Sequence, residues 1–116
     1  MTKEQLRNYQ TMKKEKRQIE QRLRTLEKRP DADQSILRPL REHYERKLAA
    51  LVAAELEVEK AIETLDPTER LLIRLRYIEG LDWHRVCAGI NYSWQQTHRI
   101  HARVLKKLER IGEKHE

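Results

Sequence analysis

Apolar residues in the first quarter of the chain recur with the spacing of an α-helix. Alternating steps of three and four residues connect them, as in a heptad seam, and Lys16 occupies one slot of this pattern. The apolar members are Tyr9, Met12, Ile19, Leu23 and Leu26. Segment 29–33, RPDAD, interrupts the pattern because Pro cannot continue a helix and Asp favours turns and caps. We therefore predict a first helix that ends before this segment.

A second helical pattern follows, and its clearest apolar positions are seven residues apart. They are Leu37, Tyr44, Leu51, Val58 and Leu65, and the stripe is widened by Leu40, Leu48, Ala54, Ala61 and Ile62. Pro39 suits this helix if it lies in the first turn, where a backbone N–H has no helical partner. Two helices of about 25 residues with a short polar loop predict an antiparallel, coiled-coil-like hairpin over residues 1–64.

Such a hairpin would expose half of each apolar stripe. We expect it to pair with a second copy and form a homodimer, or to dock on the rest of the chain. A simple spacer is the alternative interpretation of this half.

The second half of the chain carries sharper signals for helix ends. Asp66, Pro67 and Glu69 form a capping-box pattern that starts a helix, and this helix should stop near Gly80. Asp82 is placed to cap a short helix over residues 83–88, and residues 89–91 should form a tight turn. Ser93 and Gln96 repeat the capping-box spacing at the start of the last helix. These elements predict an all-α chain with a helix-turn-helix over residues 65–110 and a flexible tail over 111–116.

The last helix has one apolar and one polar side. Its buried stripe should be Thr97, Ile100, Val104 and Leu108. From the preceding helix and turn, we expect Leu81, Val86, Ala88 and Ile90 to face inward, Ala88 being small enough for close helix approach. The outward residues should be Gln95, His98, Arg99, Ala102 and Arg103. Gln and Arg can make bidentate contacts to base edges, and the major groove admits one α-helix.

Charge distribution supports the same interpretation. The net charge is +6, which by itself is ordinary for a soluble protein. Between Ser93 and Arg110, however, five Lys or Arg residues face a single acid, Glu109. Such a local excess can neutralise phosphates, so we expect double-stranded DNA as the partner.

Residues 65–109 resemble region 4 of bacterial sigma factors. The similarity lies in the Leu-x-Pro-x-Glu opening, the Arg-Tyr that ends the first helix, the following Gly-Leu, and the final RIHARVLKKLE run. The layout of the whole chain is similar to small phage and mobile-element transcription regulators of the ArpU and RinA kind. A charged hairpin stands where a sigma factor would carry the region that melts promoter DNA.

The resemblance and the helix geometry imply two sets of DNA-contacting residues. The resemblance places base reading on Trp94, Gln95, His98 and Arg99. Backbone contacts are assigned to Ser93, Gln96, Arg103, Lys106 and Lys107, of which Arg103 and Lys106 follow from the resemblance. Trp94 could equally pack on the neighbouring helix. Trp83 should cover the small core.

Several other functions are disfavoured by the residues present. His98 and His101 are three apart but lack an acidic or cysteine partner at suitable spacing, so we expect no metal and no cofactor. The single cysteine, Cys87, excludes an internal disulfide. Enzymatic motifs are missing, and we expect no catalysis. The charged start of the chain and an apolar run of only seven residues, 48–54, predict a cytoplasmic protein without membrane contact.

Two alternatives remain open beside a sequence-specific transcription regulator. Because region 4 of sigma factors also docks on RNA polymerase, the chain could be a polymerase-binding adaptor with little DNA affinity of its own. A small subunit of a phage DNA-packaging machine would also combine a helix-turn-helix with a helical oligomerisation part. The sequence does not distinguish an activator from a repressor.

Overall fold

The computed structural model describes residues 3–113, and all regular structure in this range is helical, which confirms the all-α prediction. The helices are α1 Lys3–Arg7, α2 Tyr9–Glu27, α3 Gln34–Glu63, α4 Pro67–Ile73, α5 Trp83–Ile90 and α6 Trp94–Glu113. A single π-helical turn, Arg74–Ile78, continues α4. Helix α6 thus runs into the segment predicted as a tail, and residues 114–116 of that segment lie outside the described residues.

Contacts between Cα atoms divide the chain into two compact units. The C-terminal unit contains the described residues 3–10 and 57–113, and the α2–α3 unit contains residues 11–56. Residues 3–10 and 57–64, which the heptad pattern grouped with the hairpin, therefore share a unit with helices α4 to α6.

In the α2–α3 unit, polar contacts join early positions of α2 to late positions of α3. Lys16 occupies a slot in the apolar seam because its ammonium lies 2.8 Å from a carboxylate oxygen of Glu55. Further toward the loop, the Arg22 guanidinium stands 5.7 Å from the ring centre of Tyr44. Ile19 is fully buried, whereas the other heptad positions in this unit are half-buried. A thin core of this kind leaves apolar side chains of α3 exposed, namely Ile36, Leu40, Val52 and Leu56.

The loop between α2 and α3 forms where segment 29–33 predicted it. Asp33 immediately precedes α3 and caps it, since its Oδ1 accepts hydrogen bonds from the backbone N–H and the hydroxyl of Ser35. Pro39 lies in the second turn of α3, so the prediction that it occupies the first turn is wrong. A proline there removes one helical hydrogen bond, and 30 residues of otherwise regular helix tolerate this loss.

The C-terminal unit holds the larger core. Val58, Ile62 and Leu65 of the predicted stripe are buried together with side chains from every other helix of the unit. These are Leu6, Tyr9, Leu72, Ile73, Tyr77, Val86, Ile90, Val104 and Leu108. Leu6 has no exposed surface, so the short helix α1, which the heptad pattern did not predict, is anchored by one fully buried leucine.

The turn between α5 and α6 differs from its prediction. Helix α5 continues through Gly89 and Ile90, and Asn91 ends it in the left-handed conformation with φ 60°. Asn tolerates this conformation because its short polar side chain bonds locally. Gly89 serves close packing instead, since a Cβ there would lie 2.7 Å from Cδ1 of Leu75. Ala88 is exposed, so its predicted role in close helix approach is wrong and belongs to Gly89.

Candidate nucleic-acid interface

Side-chain caps set the start of α5 and of α6. Oδ1 of Asp82 accepts a hydrogen bond from the Arg85 backbone N–H at 2.9 Å. Ser93 and Gln96 bond reciprocally: the Gln96 N–H donates to the Ser93 hydroxyl, and the Ser93 N–H donates to Oε1 of Gln96, both at 3.2 Å. Both caps were predicted from local spacing and are confirmed. They fix where each helix begins and therefore which residues share a face.

The inner side of α6 seats the helix on α4 and α5. Thr97, Val104 and Leu108 are buried, and Ile100 is half-buried, which confirms the predicted stripe. The hydroxyl of Thr97 is buried and has no hydrogen-bond partner within the described residues. Thr97 therefore contributes to the core through the apolar contacts of its methyl group. A helix held along four successive turns presents its other side in a fixed orientation.

The opposite side of α6 carries a continuous polar row. We call Gln95, Arg99, Ala102, Arg103 and Lys106 the outer face of α6, and all of them are exposed. These positions recur at intervals of three and four residues, so they project in one direction. Ala102 is the one apolar member of this row.

Trp94 and His98 lie beside this row, in an aromatic cluster. The His98 ring lies between two indoles, with its centre 4.5 Å from Trp83 and 4.5 Å from Trp94. Its Nε2 is buried and makes no hydrogen bond among the described residues. The Trp94 ring also contacts His84 at 5.2 Å, yet 48% of the residue remains exposed. Trp94 thus packs on α5 and is also accessible to a ligand. His98, in contrast, mainly packs against the two indoles.

A buried carboxylate engages two of the predicted backbone-contacting residues. Glu69 of α4 is 1% exposed, and Nζ of Lys107 lies 2.8 and 2.9 Å from its two oxygens. Arg103 donates from Nε at 3.4 Å, and the Asp66 N–H donates at 3.1 Å. Burial acts to raise the pKa of Glu69, but these hydrogen bonds outweigh it and hold the pKa below its usual value.

The five predicted backbone-contacting residues therefore divide into three groups. Ser93 and Gln96 bond to each other in the cap, and Arg103 and Lys107 bind Glu69. Lys106 is exposed on the outer face of α6. Glu69 was expected only as a capping residue, because the spacing that revealed the cap says nothing about a lysine 38 positions later.

A second cluster surrounds His101 on the flank of α6. Nε2 of His101 lies 2.6 Å from the Tyr77 hydroxyl, and its ring meets the edge of Trp83 at 4.7 Å. The Arg76 guanidinium covers Trp83 at 4.7 Å and donates to the Leu81 carbonyl. The pKa of His101 is lowered from 6.5 to about 4, chiefly by burial and in addition by the charges of Lys3, His98, Arg76 and Arg7.

His101 should make the stability of the fold sensitive to acid. Its pKa is lower in the folded chain, about 4 against 6.5, so its contribution is complete above pH 6.5 and is lost as the pH falls toward 4. Between pH 7 and pH 5 we expect the free energy of unfolding to decrease by about 1–2 kcal/mol from this group. Glu69, whose pKa lies below 4.5, stays ionised over this range. Urea denaturation at the two pH values measures the loss.

The variant His101→Gln is the control for this prediction. Glutamine keeps a polar side chain near Tyr77 but does not titrate, so the pH-dependent part of the loss should shrink to a small remainder. An equal loss in both proteins would show that other groups cause the acid sensitivity.

Comparisons with protein-family models, with curated proteins and with solved structures found no match to this chain. Within residues 3–113, no three His, Cys, Asp or Glu side chains are grouped so that they could hold a metal ion. No helix of this range is both long and apolar enough to cross a membrane. The case for a function therefore rests on the geometry of α5, α6 and their surroundings.

Proposed function

We propose that the chain is a sequence-specific regulator of transcription that binds double-stranded DNA through a helix-turn-helix. In this proposal α5 and α6 are the two helices, α6 enters the major groove, and the protein acts by binding rather than by catalysis. The observation that carries it is the outer face of α6: a polar, cationic row on a helix whose opposite side is buried along its length.

Base reading is proposed for the N-terminal half of this row. Gln95 and Arg99 are both exposed and one turn apart, and their side chains match adenine and guanine edges. Trp94 adds a half-exposed indole at the same end, suited to contact with a sugar or a thymine methyl group. We propose that His98, which lies between two indoles, mainly supports Trp94 and reads bases only through it.

Phosphate contacts are proposed for the following turns. Lys106 is exposed on the same row, and no carboxylate of the described chain pairs with it, so its ammonium is available to the DNA backbone. Arg103 keeps 61% of its side chain exposed and could contact a phosphate while its Nε remains near Glu69. Lys107, which bonds both oxygens of Glu69, is proposed to stabilise the seat of α6.

We further propose that the α2–α3 unit pairs with a second copy, so that two reading helices act on one DNA site. Its support is the set of exposed apolar side chains on α3, of which Ile36 is 69% and Leu56 51% exposed. Apolar side chains repeated along one helix are typical of helix pairing. The similarity to sigma region 4 and to small phage regulators fits this arrangement and remains part of the proposal.

Removing one phosphate contact tests the proposed docking. We expect Lys106→Ala to weaken binding to any duplex several-fold and to lower the slope of log affinity against log salt by about 1. Fluorescence anisotropy with a labelled random-sequence duplex, over a series of salt concentrations, measures both effects. Lys14→Ala removes an exposed lysine of α2 and should change neither. Equal effects of the two substitutions would contradict the proposed orientation of α6.

A further inference from the structure

A cavity of about 320 Å³ lies in the C-terminal unit, and His101 is the residue of α6 that lines it. Helix α1, the π-helical turn, the start of α5 and the middle of α6 all contribute to its wall. Three of its lining residues are cations: Lys3 and Arg7 from α1, and Arg76 from the π-helical turn. Among the described residues, no acidic side chain lines it. The cavity therefore gathers positive charge that the proposed DNA-reading row does not use.

The three cations act on one place. Each lowers the pKa of His101, which also lines the cavity, so their fields converge there. Across the described residues, none of the three forms an ion pair with a carboxylate. Like charges that converge without a counter-charge repel one another, and a bound anion would remove that repulsion.

The other lining groups define the kind of anion. Tyr77 supplies a hydroxyl and His101 an imidazole. The hydroxyl oxygen and Nε2 of the imidazole lie 2.6 Å apart, within a hydrogen bond. The indole of Trp83 is not free for stacking, because Arg76 covers it and His98 and His101 contact it. A planar base would find no open aromatic face. A compact, multiply charged group with several oxygens matches two guanidinium groups and one ammonium.

We propose that this cavity is a binding site for a phosphate group, held by Lys3, Arg7 and Arg76 beside Tyr77 and His101. The phosphate can come from a small phosphate ester that acts as an effector or from the backbone of a bound duplex. The proposal does not depend on DNA binding, since the cavity and its charges are present without it. Because His101 belongs to α6, an occupied site would also be coupled to the proposed reading helix.

The test uses the full chain, inorganic phosphate and no DNA in its first arm. The His101 imidazole is followed by NMR over a range of pH, with and without phosphate, at ionic strength matched by sodium chloride. Phosphate should raise the pKa of His101 in a saturable manner, because a bound anion stabilises the imidazolium. A pKa that is the same in phosphate and in chloride would overturn the proposal.

Charge variants locate the effect. Lys3→Ala with Arg7→Ala should weaken phosphate binding by about tenfold or more, since it removes two of the three cations. Lys14→Ala with Arg17→Ala removes the same charge from exposed positions of α2 that do not line the cavity, and should leave binding unchanged. Lys3→Arg with Arg7→Lys keeps the charge and should retain binding even if α1 is sensitive to alanine. Equal losses in the cavity pair and the α2 pair would overturn the assignment.

A second arm separates the two sources of phosphate. If a duplex displaces inorganic phosphate from the cavity, as followed by the NMR signal of His101, the site holds a backbone phosphate. If glycerol 3-phosphate and a duplex bind together, the site holds a free ester. Either result supports a phosphate site, and failure of the first arm leaves the DNA-binding proposal untouched.

Discussion

Replacing Gln95 and Arg99 together with alanine is expected to remove most of the sequence preference of the protein for DNA. Each bidentate contact to a base edge contributes about 1–3 kcal/mol of discrimination. The ratio of affinities for the preferred and an unrelated duplex should therefore fall on the order of a hundredfold or more in the double variant. Affinity for unrelated duplexes should decrease only several-fold, because Lys106 and the remaining cations still contact phosphates. Both side chains are exposed, so the thermal stability should stay the same.

The measurement is competition between preferred and unrelated duplexes at a fixed salt concentration. The matched control is Gln21→Ala with Arg24→Ala, which removes the same two residue types from exposed positions of α2. The control should keep the full preference of the original chain. A double variant at Gln95 and Arg99 that still prefers the same sequence would rule out these side chains as readers.

The second large effect concerns stability. Lys107→Met should lower the free energy of unfolding by about 1–3 kcal/mol, because it leaves the buried carboxylate of Glu69 with only the Asp66 N–H and the longer contact to Arg103. Methionine keeps an apolar side chain of similar length, so the loss of stability measures the contribution of the ammonium group. Since small domains are stable by only about 5–15 kcal/mol, chemical denaturation will resolve such a change.

Lys106→Met provides the control on the neighbouring residue. Lys106 is exposed, and its substitution should change stability by less than about 0.5 kcal/mol. Adding Glu69→Gln to Lys107→Met should recover part of the loss, because no charge is then left buried. Equal effects of the two lysine substitutions would contradict the role given to Glu69.

Features that depend on residues close together in sequence were predictable. The caps at Asp82 and Ser93, the end of the helix near Gly80 and the break around segment 29–33 all follow from chemistry within a few positions. The buried stripe of α6 was predictable for the same reason, since helical periodicity alone separates its two sides.

Features that depend on packing between distant segments could not be predicted from spacing. Glu69 meets Lys107 38 residues later, and Tyr77 meets His101 24 residues later. The roles of Gly89 and Ala88 were exchanged because the deciding neighbour is Leu75 on another element. Pro39 lies one turn later than expected because α3 already begins at Gln34. Local rules place each helix, and only the assembled unit shows which polar side chains stabilise the fold and which remain for a ligand.

Selection of bound sequences from a pool of random duplexes tests the central proposal most directly. With the full chain as bait at near-physiological salt, we expect enrichment of a short common sequence, and its loss when Gln95 and Arg99 are replaced. If α2–α3 units pair, the enriched sites should contain two copies of this sequence at a constant spacing. A pool that stays random after repeated rounds, with the chain retaining RNA polymerase in the absence of DNA, would contradict base reading by α6.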